Sequence, residues 1–163
     1  MKRTLLTALA AVILIPGAAK AQSTTAGGSV TLNIPQVLSI AFTSNADVSF
    51  TPTQTDFDAG FMDGVSATLR TKGNTPHEIR VRSATSAFNY SGSVTPAPSK
   101  SASDFQWKVG AGTFLGMSTS NNSVGTYARG THDVTVDYKL VLDYANDPEG
   151  SYDMSFTYEV VPN

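Results

Sequence analysis

The sequence of 163 residues contains no cysteine and only two histidines. Without cysteine the chain forms no disulfide, and it carries no thiol nucleophile, no cysteine-ligated zinc and no lipidated N-terminal cysteine. A domain of this length buries a core large enough to be stable without disulfides. Because His77 and His132 are the only imidazoles, the chain has few means of general acid–base catalysis.

The sequence also lacks the Gly-x-Ser-x-Gly motif that places a serine nucleophile on a sharp turn in many hydrolases. His77 follows Pro76, and His132 precedes a long alternating run. We expect both histidines to be edge or turn residues, and two histidines alone leave a metal without its third and fourth ligands. The sequence therefore predicts no catalytic residue, no cofactor and no metal. A hydrolase, in which a cleft joins a histidine to carboxylates, is the third functional alternative.

One long apolar run is present, from Leu5 to Ile15 at the N-terminus. Lys2 and Arg3 precede it, and Ala19-Lys20-Ala21 follows with the small-x-small pattern that a signal peptidase cleaves. The run is too short and wrongly flanked for a membrane-spanning helix. The sequence predicts a signal peptide over 1–21 and export from a bacterial cytoplasm. The mature chain would be periplasmic, at the cell surface or secreted.

The rest of the sequence has no second run of about 20 apolar residues, so we expect no membrane insertion. Loss of the three basic residues of the signal peptide takes the formal net charge from −2 to about −5. An acidic chain lacks the positive surface that nucleic acid or an anionic lipid surface requires. We therefore expect protein partners or self-assembly at the cell envelope, and no nucleic acid.

The C-terminal region shows the clearest strand pattern. Apolar or aromatic residues alternate with polar ones over 134–144 and again over 152–160. Such alternation places one set of side chains on a buried face and the other in water. The intervening Asn146-Asp147-Pro148-Glu149-Gly150 favours a turn. The sequence predicts a long antiparallel hairpin, whose buried face includes Tyr138, Tyr144, Tyr152 and Tyr158.

Earlier segments repeat the alternation over shorter lengths. They predict strands around residues 30–34, 38–42, 48–50, 65–69, 79–81 and 105–109. The segments at 65–69 and 79–81 would pair across the turn-rich Lys72-Gly73-Asn74-Thr75-Pro76, and Gly110-Ala111-Gly112 would turn the chain after Val109. We expect Ser91–Ser103 to be an exposed connection and Thr53–Gly64 to be a loop. Eight to ten short strands in a single domain over 22–163 indicate an all-β protein, an antiparallel immunoglobulin-like β-sandwich.

The connector Thr53–Gly64 carries Asp56, Asp58 and Asp63. Carboxylates on a flexible loop are typical calcium ligands. The spacing differs from an EF-hand, because Gly60 stands where a third ligand belongs and no bidentate glutamate follows. We interpret this segment as an ordinary acidic loop and Asn146, Asp147 and Glu149 as a hairpin tip. Calcium binding by the 56–63 loop stays an alternative.

Trp107 is the only tryptophan, and it shares the parity of Phe105 and Val109. A β-sandwich commonly buries one tryptophan as a core anchor, so we expect Trp107 in the core. Sugar-binding sandwiches instead present aromatic rings on a solvated face. A carbohydrate-binding module is the second functional alternative, and it would use two or three coplanar rings from Tyr90, Phe61 and Tyr127.

Three short segments and the signal peptide carry a resemblance to known families. The segments are Gly27-Gly28-Ser29-Val30-Thr31-Leu32, Asp104-Phe105-Gln106-Trp107-Lys108 and Pro148-Glu149-Gly150-Ser151-Tyr152. In outline the chain resembles bacterial exported β-sandwich proteins, namely WxL-like surface domains and fimbrial or spore-coat-U-like subunits. It differs from WxL-like domains because Gly110 stands where the leucine of a Trp-x-x-Leu motif would be. It differs from fimbrial and spore-coat-U-like subunits because it lacks a disulfide. The resemblance implies a non-enzymatic envelope or surface protein with an immunoglobulin-like fold.

The first functional hypothesis is a structural or interaction protein that assembles by strand addition at a sheet edge. The candidate strand-exchange residues are Val30, Leu32 and Ile34. They follow a polar Ser/Thr/Gly tail, and Pro35 separates them from the next strand. One strand pairs equally well with its own sheet or a neighbour's. The segment is thus either the domain's first strand or a strand offered to another copy.

Overall fold

The computed structural model describes residues 25–163, and the predicted signal peptide lies outside these residues. The chain divides into two compact units, Met1–Asn33 and Ile34–Asn163. In the first unit, residues 25–33 form no helix or strand and are exposed. Within the described residues, every helix and strand belongs to the second unit.

The regular secondary structure of the second unit is almost entirely β-strand, as the alternating patterns predict. Their bounds are Leu38–Ser44 (β1), Phe61–Gly73 (β2), His77–Ser83 (β3), Asn89–Ser91 (β4), Phe105–Val109 (β5), Leu115–Gly116 (β6), Asn122–Tyr127 (β7), Gly130–Val141 (β8), Ser151–Asp153 (β9) and Phe156–Pro162 (β10). A short helix, Gln54–Ala59 (α1), precedes β2, and a 3₁₀ turn, Ala102–Asp104, precedes β5. The prediction of an all-β protein with eight to ten strands is confirmed.

The strands form antiparallel sheets. A five-stranded sheet has the order β1-β2-β8-β5-β6, and a three-stranded sheet has the order β10-β3-β7. The strands β4 and β9 form a separate two-stranded ribbon, in which Tyr90 lies opposite Tyr152. Both larger sheets contribute to one hydrophobic core. Its buried residues are Ala67, Leu69, Ile79, Val81, Phe105, Trp107, Met117, Val134, Val136, Tyr138 and Tyr158.

Both predicted hairpins between long strands are wrong in their pairing, although the strands themselves are present. β8 pairs with β2 and β5, whereas β10 pairs with β3 in the other sheet. In the same way β2 and β3 follow each other in sequence but lie in different sheets. Alternation specifies which face of a strand is buried. It does not specify whether the next strand in sequence lies beside it in the same sheet or across the core in the opposite sheet. By contrast, the predicted turn after Val109 does connect a paired hairpin, β5 and β6.

Three further expectations need correction. Val48 and Phe50 form no strand, although both pack against the core. The connector 53–64 contains the helix α1, which the sequence analysis missed because six residues are too few to show a helical period. Tyr144 is 60% exposed and lies beyond the end of β8, so it is not on a buried strand face.

The orientation of β10 can be tested by a pair of neighbouring substitutions. The ring of Phe156 lies 5.5 Å from that of Phe105 and 5.9 Å from that of Tyr138, measured between centroids, whereas Thr157 is exposed. We expect Phe156→Asp to lower the free energy of unfolding by about 3 kcal/mol or more, because an unpaired carboxylate would enter the core. Thr157→Asp should change it little, since that side chain faces water opposite Arg82. Denaturant unfolding measures both, and equal losses would contradict the inward orientation of Phe156.

Candidate functional site

One side of the second unit has two strand edges that are not hydrogen-bonded to each other. Among the strands of residues 25–163, β1 pairs with β2 alone and β10 pairs with β3 alone. Leu38 lies opposite Gly73, and Pro162 lies opposite His77. The start of β1 and the end of β10 therefore meet at the short β2–β3 connection, so the two edges run in opposite directions.

An apolar cleft separates these edges, and we call it the edge cleft. Its volume is about 190 Å³, and its walls include Ile40, Phe42 and Leu69 on one side and Phe156 and Tyr158 on the other. The rings of Phe42 and Tyr158 meet edge to face, with 5.8 Å between their centroids. Side chains thus bridge the two strands across the cleft where backbone hydrogen bonds do not. The alternating patterns did not predict this cleft, because it depends on which strands become sheet edges.

The opposite side of the unit is closed by the chain itself. The amide of Met117 donates to the Phe105 carbonyl in the five-stranded sheet, at 2.8 Å. One residue later the Ser118 carbonyl accepts from the Ser83 amide in the three-stranded sheet, also at 2.8 Å. The chain therefore passes from one sheet to the other here, and Met117 is buried between them. This difference makes the edge cleft the open side of the fold.

A pair of tyrosine hydroxyls joins the two sheets beneath the edge cleft. The hydroxyl oxygens of Tyr138 in β8 and Tyr158 in β10 lie 2.9 Å apart. Burial raises the pKa of Tyr138 to about 12 and also raises that of Tyr158, so both phenols are neutral at physiological pH. The pair gives both buried hydroxyls a partner and holds Tyr158 in the wall of the cleft.

The segment that enters β1 is held by Asn74, in the β2–β3 connection. Asn74 Oδ1 accepts from the Val37 amide at 2.8 Å, and Asn74 Nδ2 donates to the Pro35 carbonyl at 2.7 Å. The Asn74 amide also donates to the Val37 carbonyl at 3.2 Å. We call these three bonds the Asn74 clamp. They extend the β1–β2 pairing past Leu38, so residues 35–37 stay aligned with the ladder.

The predicted strand-exchange residues are not in a strand in this structure. Val30, Leu32 and Ile34 are 96%, 76% and 70% exposed, respectively. Regular structure begins only at Leu38. The segment thus presents alternating apolar side chains to solvent. The sequence pattern identified these residues, but it did not identify Asn74, which resembled an ordinary turn residue.

The acidic connector residues serve local structure. The Asp56 carboxylate accepts from the Thr53 amide and the Thr53 hydroxyl, both at 2.7 Å, and these bonds lower the pKa of Asp56. Asp58 accepts from the Tyr144 hydroxyl at 3.0 Å. Within residues 25–163 no three His, Asp or Glu side chains lie in an arrangement that could hold a metal ion. The geometry therefore does not support the calcium alternative for the 56–63 loop.

In the predicted hairpin tip, Asp147 forms a buried ion pair with Lys100. Asp147 Oδ2 lies 2.6 Å from Lys100 Nζ, and only 4% and 8% of the lysine and aspartate side chains are exposed. Lys100 also donates to the Val141 carbonyl at 2.8 Å, and Asp147 accepts from the Asp143 amide at 2.9 Å. The segment 91–103 was expected to be an exposed connection, but it contains the buried Lys100 near its C-terminal end.

The two histidines lie close together, and the prediction that both are edge or turn residues is wrong for His77. His77 is fully buried, and its ring centroid lies 5.9 Å from that of His132. His77 Nδ1 is 3.1 Å from the Thr75 carbonyl oxygen and therefore donates to it, which leaves Nε2 to accept from the Thr71 hydroxyl at 3.0 Å. Both ring nitrogens of His77 have hydrogen-bond partners, so this histidine has a structural role here.

The three aromatic residues considered for carbohydrate binding do not form one platform. Tyr90 packs against Tyr152 at 5.1 Å, and Tyr127 lies against His77 and His132. Phe61 lies under the ammonium of Lys139. Each ring has a separate set of neighbours, so the geometry does not favour the carbohydrate alternative. Trp107 is buried in the core, as predicted.

Comparison with known proteins does not assign this chain to a family. No family model matches the sequence, and no curated protein matches it. Among solved structures, a chain from a structure of a chaperone-usher pilus is similar, with 11% sequence identity, coverage of 91% of this chain and 100% of that chain, and a TM-score of 0.49. At that identity and TM-score, the similarity carries no argument about this chain.

The lengths and apolar character of the helices bear on whether a helix could cross a membrane. Among residues 25–163, no helix has the length and apolar character needed to cross a membrane.

The Asn74 clamp can be tested by removing its side chain. Because two side-chain hydrogen bonds would be lost, we expect Asn74→Ala to lower the free energy of unfolding by about 1–2 kcal/mol. Amide hydrogen exchange at Val37 should become faster. Lys72→Ala is the matched control, since that exposed side chain is next to the connection and forms no hydrogen bond among the described residues. Unchanged exchange at Val37 in Asn74→Ala would contradict the clamp.

Proposed function

We propose that this chain is a non-enzymatic, exported envelope or surface protein with an immunoglobulin-like β-sandwich, and that it assembles by strand addition. In this proposal the segment around Val30, Leu32 and Ile34 of one copy enters the edge cleft of a second copy. The observation that carries the proposal is the pair of free edges, β1 and β10, on either side of an apolar cleft.

The free edges supply the backbone part of the interaction. Each is seven residues long, which corresponds to about 23 Å of extended chain. Because β1 and β10 run in opposite directions, an inserted strand would be antiparallel to one and parallel to the other. The Phe42–Tyr158 ring contact would have to separate, and the edges would have to move to about 10 Å apart, which is twice the strand spacing. Unpaired amides and carbonyls on both sides would then gain partners from the same strand.

The side chains supply the apolar part. The segment places Val30, Leu32 and Ile34 at alternate positions, so an extended conformation puts all three on one face. The cleft offers Phe42 and Tyr158, and Phe42 is itself more than one-third exposed. Burial of these surfaces against each other removes apolar area from water on both partners.

The Asn74 clamp favours exchange between copies over closure within one chain. To enter its own cleft, the chain would have to reverse direction within residues 35–37. The clamp holds those residues in line with the β1–β2 ladder through the Pro35 carbonyl and both backbone groups of Val37. A segment from a second copy meets no such constraint.

Complementary variants test the proposal. Leu32→Asp places a charge on the inserted face and disables the segment, whereas Phe42→Arg places a charge in the cleft and disables the acceptor. We expect each variant alone to be monomeric, and a mixture of the two to form a one-to-one complex through the intact segment and the intact cleft. Size-exclusion chromatography with light scattering measures both. Thr31→Asp, on the opposite face, is the matched control and should assemble as the wild type does.

Deletion of residues 22–34 gives a second test. We expect a soluble domain that no longer assembles and that binds a synthetic peptide covering 27–36. A domain that aggregates without binding the peptide would show instead that the segment is an ordinary first strand. A wild-type protein that stays monomeric at its highest soluble concentration, with residues 30–34 protected from hydrogen exchange, would also contradict the proposal.

A further inference from the structure

A second and larger concavity adjoins the edge cleft at Phe156, and we call it the aromatic cavity. Its volume is about 620 Å³, which is within the range of cavities that bind small molecules. It is enclosed by the segment 48–52, by α1, by the end of β8 and by the chain from 147 to 156. Phe156 borders both this cavity and the edge cleft.

Aromatic rings form much of the cavity wall. Phe57 and Tyr144 are stacked with 4.9 Å between centroids and 30° between planes. The Tyr144 hydroxyl donates to Asp58 at 3.0 Å, which fixes this half-exposed ring at the cavity. Phe50 and Tyr152 also contribute to the wall. Flat ring faces offer apolar contact area to the body of an aromatic or alkyl ligand.

The charged side chains around the cavity favour a positive ligand. Lys100 is its one lysine or arginine, and the 2.6 Å contact with Asp147 neutralises it. Glu149 and Asp153 also line the cavity, and within residues 25–163 neither forms a salt bridge. The net charge of the lining is therefore negative.

We propose that the aromatic cavity binds a small organic cation with an apolar body, such as an aryl or alkyl ammonium. The apolar body would contact the rings of Phe57 and Tyr144, and the ammonium would lie near the carboxylates of Glu149 and Asp153. This site is separate from strand addition, and neither proposal depends on the other.

Calorimetric titration of the mature protein with three matched probes tests the site. The probes are phenethylammonium, phenethyl alcohol and phenylacetate, which share an aromatic body and differ in charge. We expect saturable binding of the ammonium, roughly tenfold or more tighter than binding of the alcohol, and no binding of the carboxylate. Added salt should weaken binding of the ammonium and leave binding of the alcohol unchanged.

Two variants assign the binding to this cavity. The double variant Glu149→Gln/Asp153→Asn should lower the affinity for the ammonium to that for the alcohol, a loss of roughly tenfold. Tyr144→Ala should weaken both probes, because it removes a wall rather than a charge. Glu159→Gln is the matched control, since Glu159 is an exposed carboxylate of β10 that does not line the cavity, and it should leave both affinities unchanged.

Three results would overturn the proposal. Equal binding of the ammonium and the alcohol would remove the role of charge, and an unaffected double variant would place the binding elsewhere. Absence of saturable binding by every probe would show that the cavity is not a ligand site. If a capped Gly-Lys-Gly peptide bound more tightly than phenethylammonium, the cavity would instead take a lysine side chain of a partner polypeptide.

Discussion

The backbone edges of β1 and β10, which pair with no further strand among residues 25–163, are the constraint on which the rest of the structure depends. A strand edge has unpaired amides and carbonyls, and proteins ordinarily cover, shorten or charge such an edge. Here both edges are seven residues long and border an apolar cleft. They lie on the same side because β1 pairs with β2 and β10 pairs with β3, and the short β2–β3 connection joins these two strands of different sheets. The opposite side is closed by the crossing at Met117 and Ser118.

The proposed assembly depends on three features, namely the edge cleft, the Asn74 clamp and the exposed segment. The clamp fixes residues 35–37 along the ladder, and beyond it Val30 and Leu32 present their side chains to solvent. An apolar surface that is open on the acceptor and an alternating apolar segment that is exposed on the donor are complementary in pattern. The aromatic cavity differs in chemistry, because its lining combines stacked rings with unpaired carboxylates. We therefore propose one surface for a strand and another for a small organic cation.

Sequence alternation predicted the strand faces well and their partners poorly. The inward positions of Trp107, Tyr138 and Tyr158 follow directly from period-two alternation, whereas Gly110-Ala111-Gly112 predicted the turn after Val109. Alternation is local, however, and a buried face does not reveal whether the neighbouring strand lies beside it or across the core. The edge cleft and the burial of Lys100 and His77 depend on long-range strand pairing, so no local pattern predicted them. The alternation over residues 30–34 predicted a strand, and in the structure these residues form none.

The most direct test of the account is the location of the segment in a complex. Isotope-filtered NOE spectra of the 22–34 deletion domain, uniformly labelled and bound to an unlabelled peptide covering 27–36, report which protons are in contact. The account predicts NOEs from the Leu32 methyl groups to the ring protons of Phe42 and Tyr158, together with new protection of β1 and β10 amides. NOEs from Leu32 to the rings of the aromatic cavity alone, or to the outer face of the five-stranded sheet, would contradict strand addition at the edge cleft.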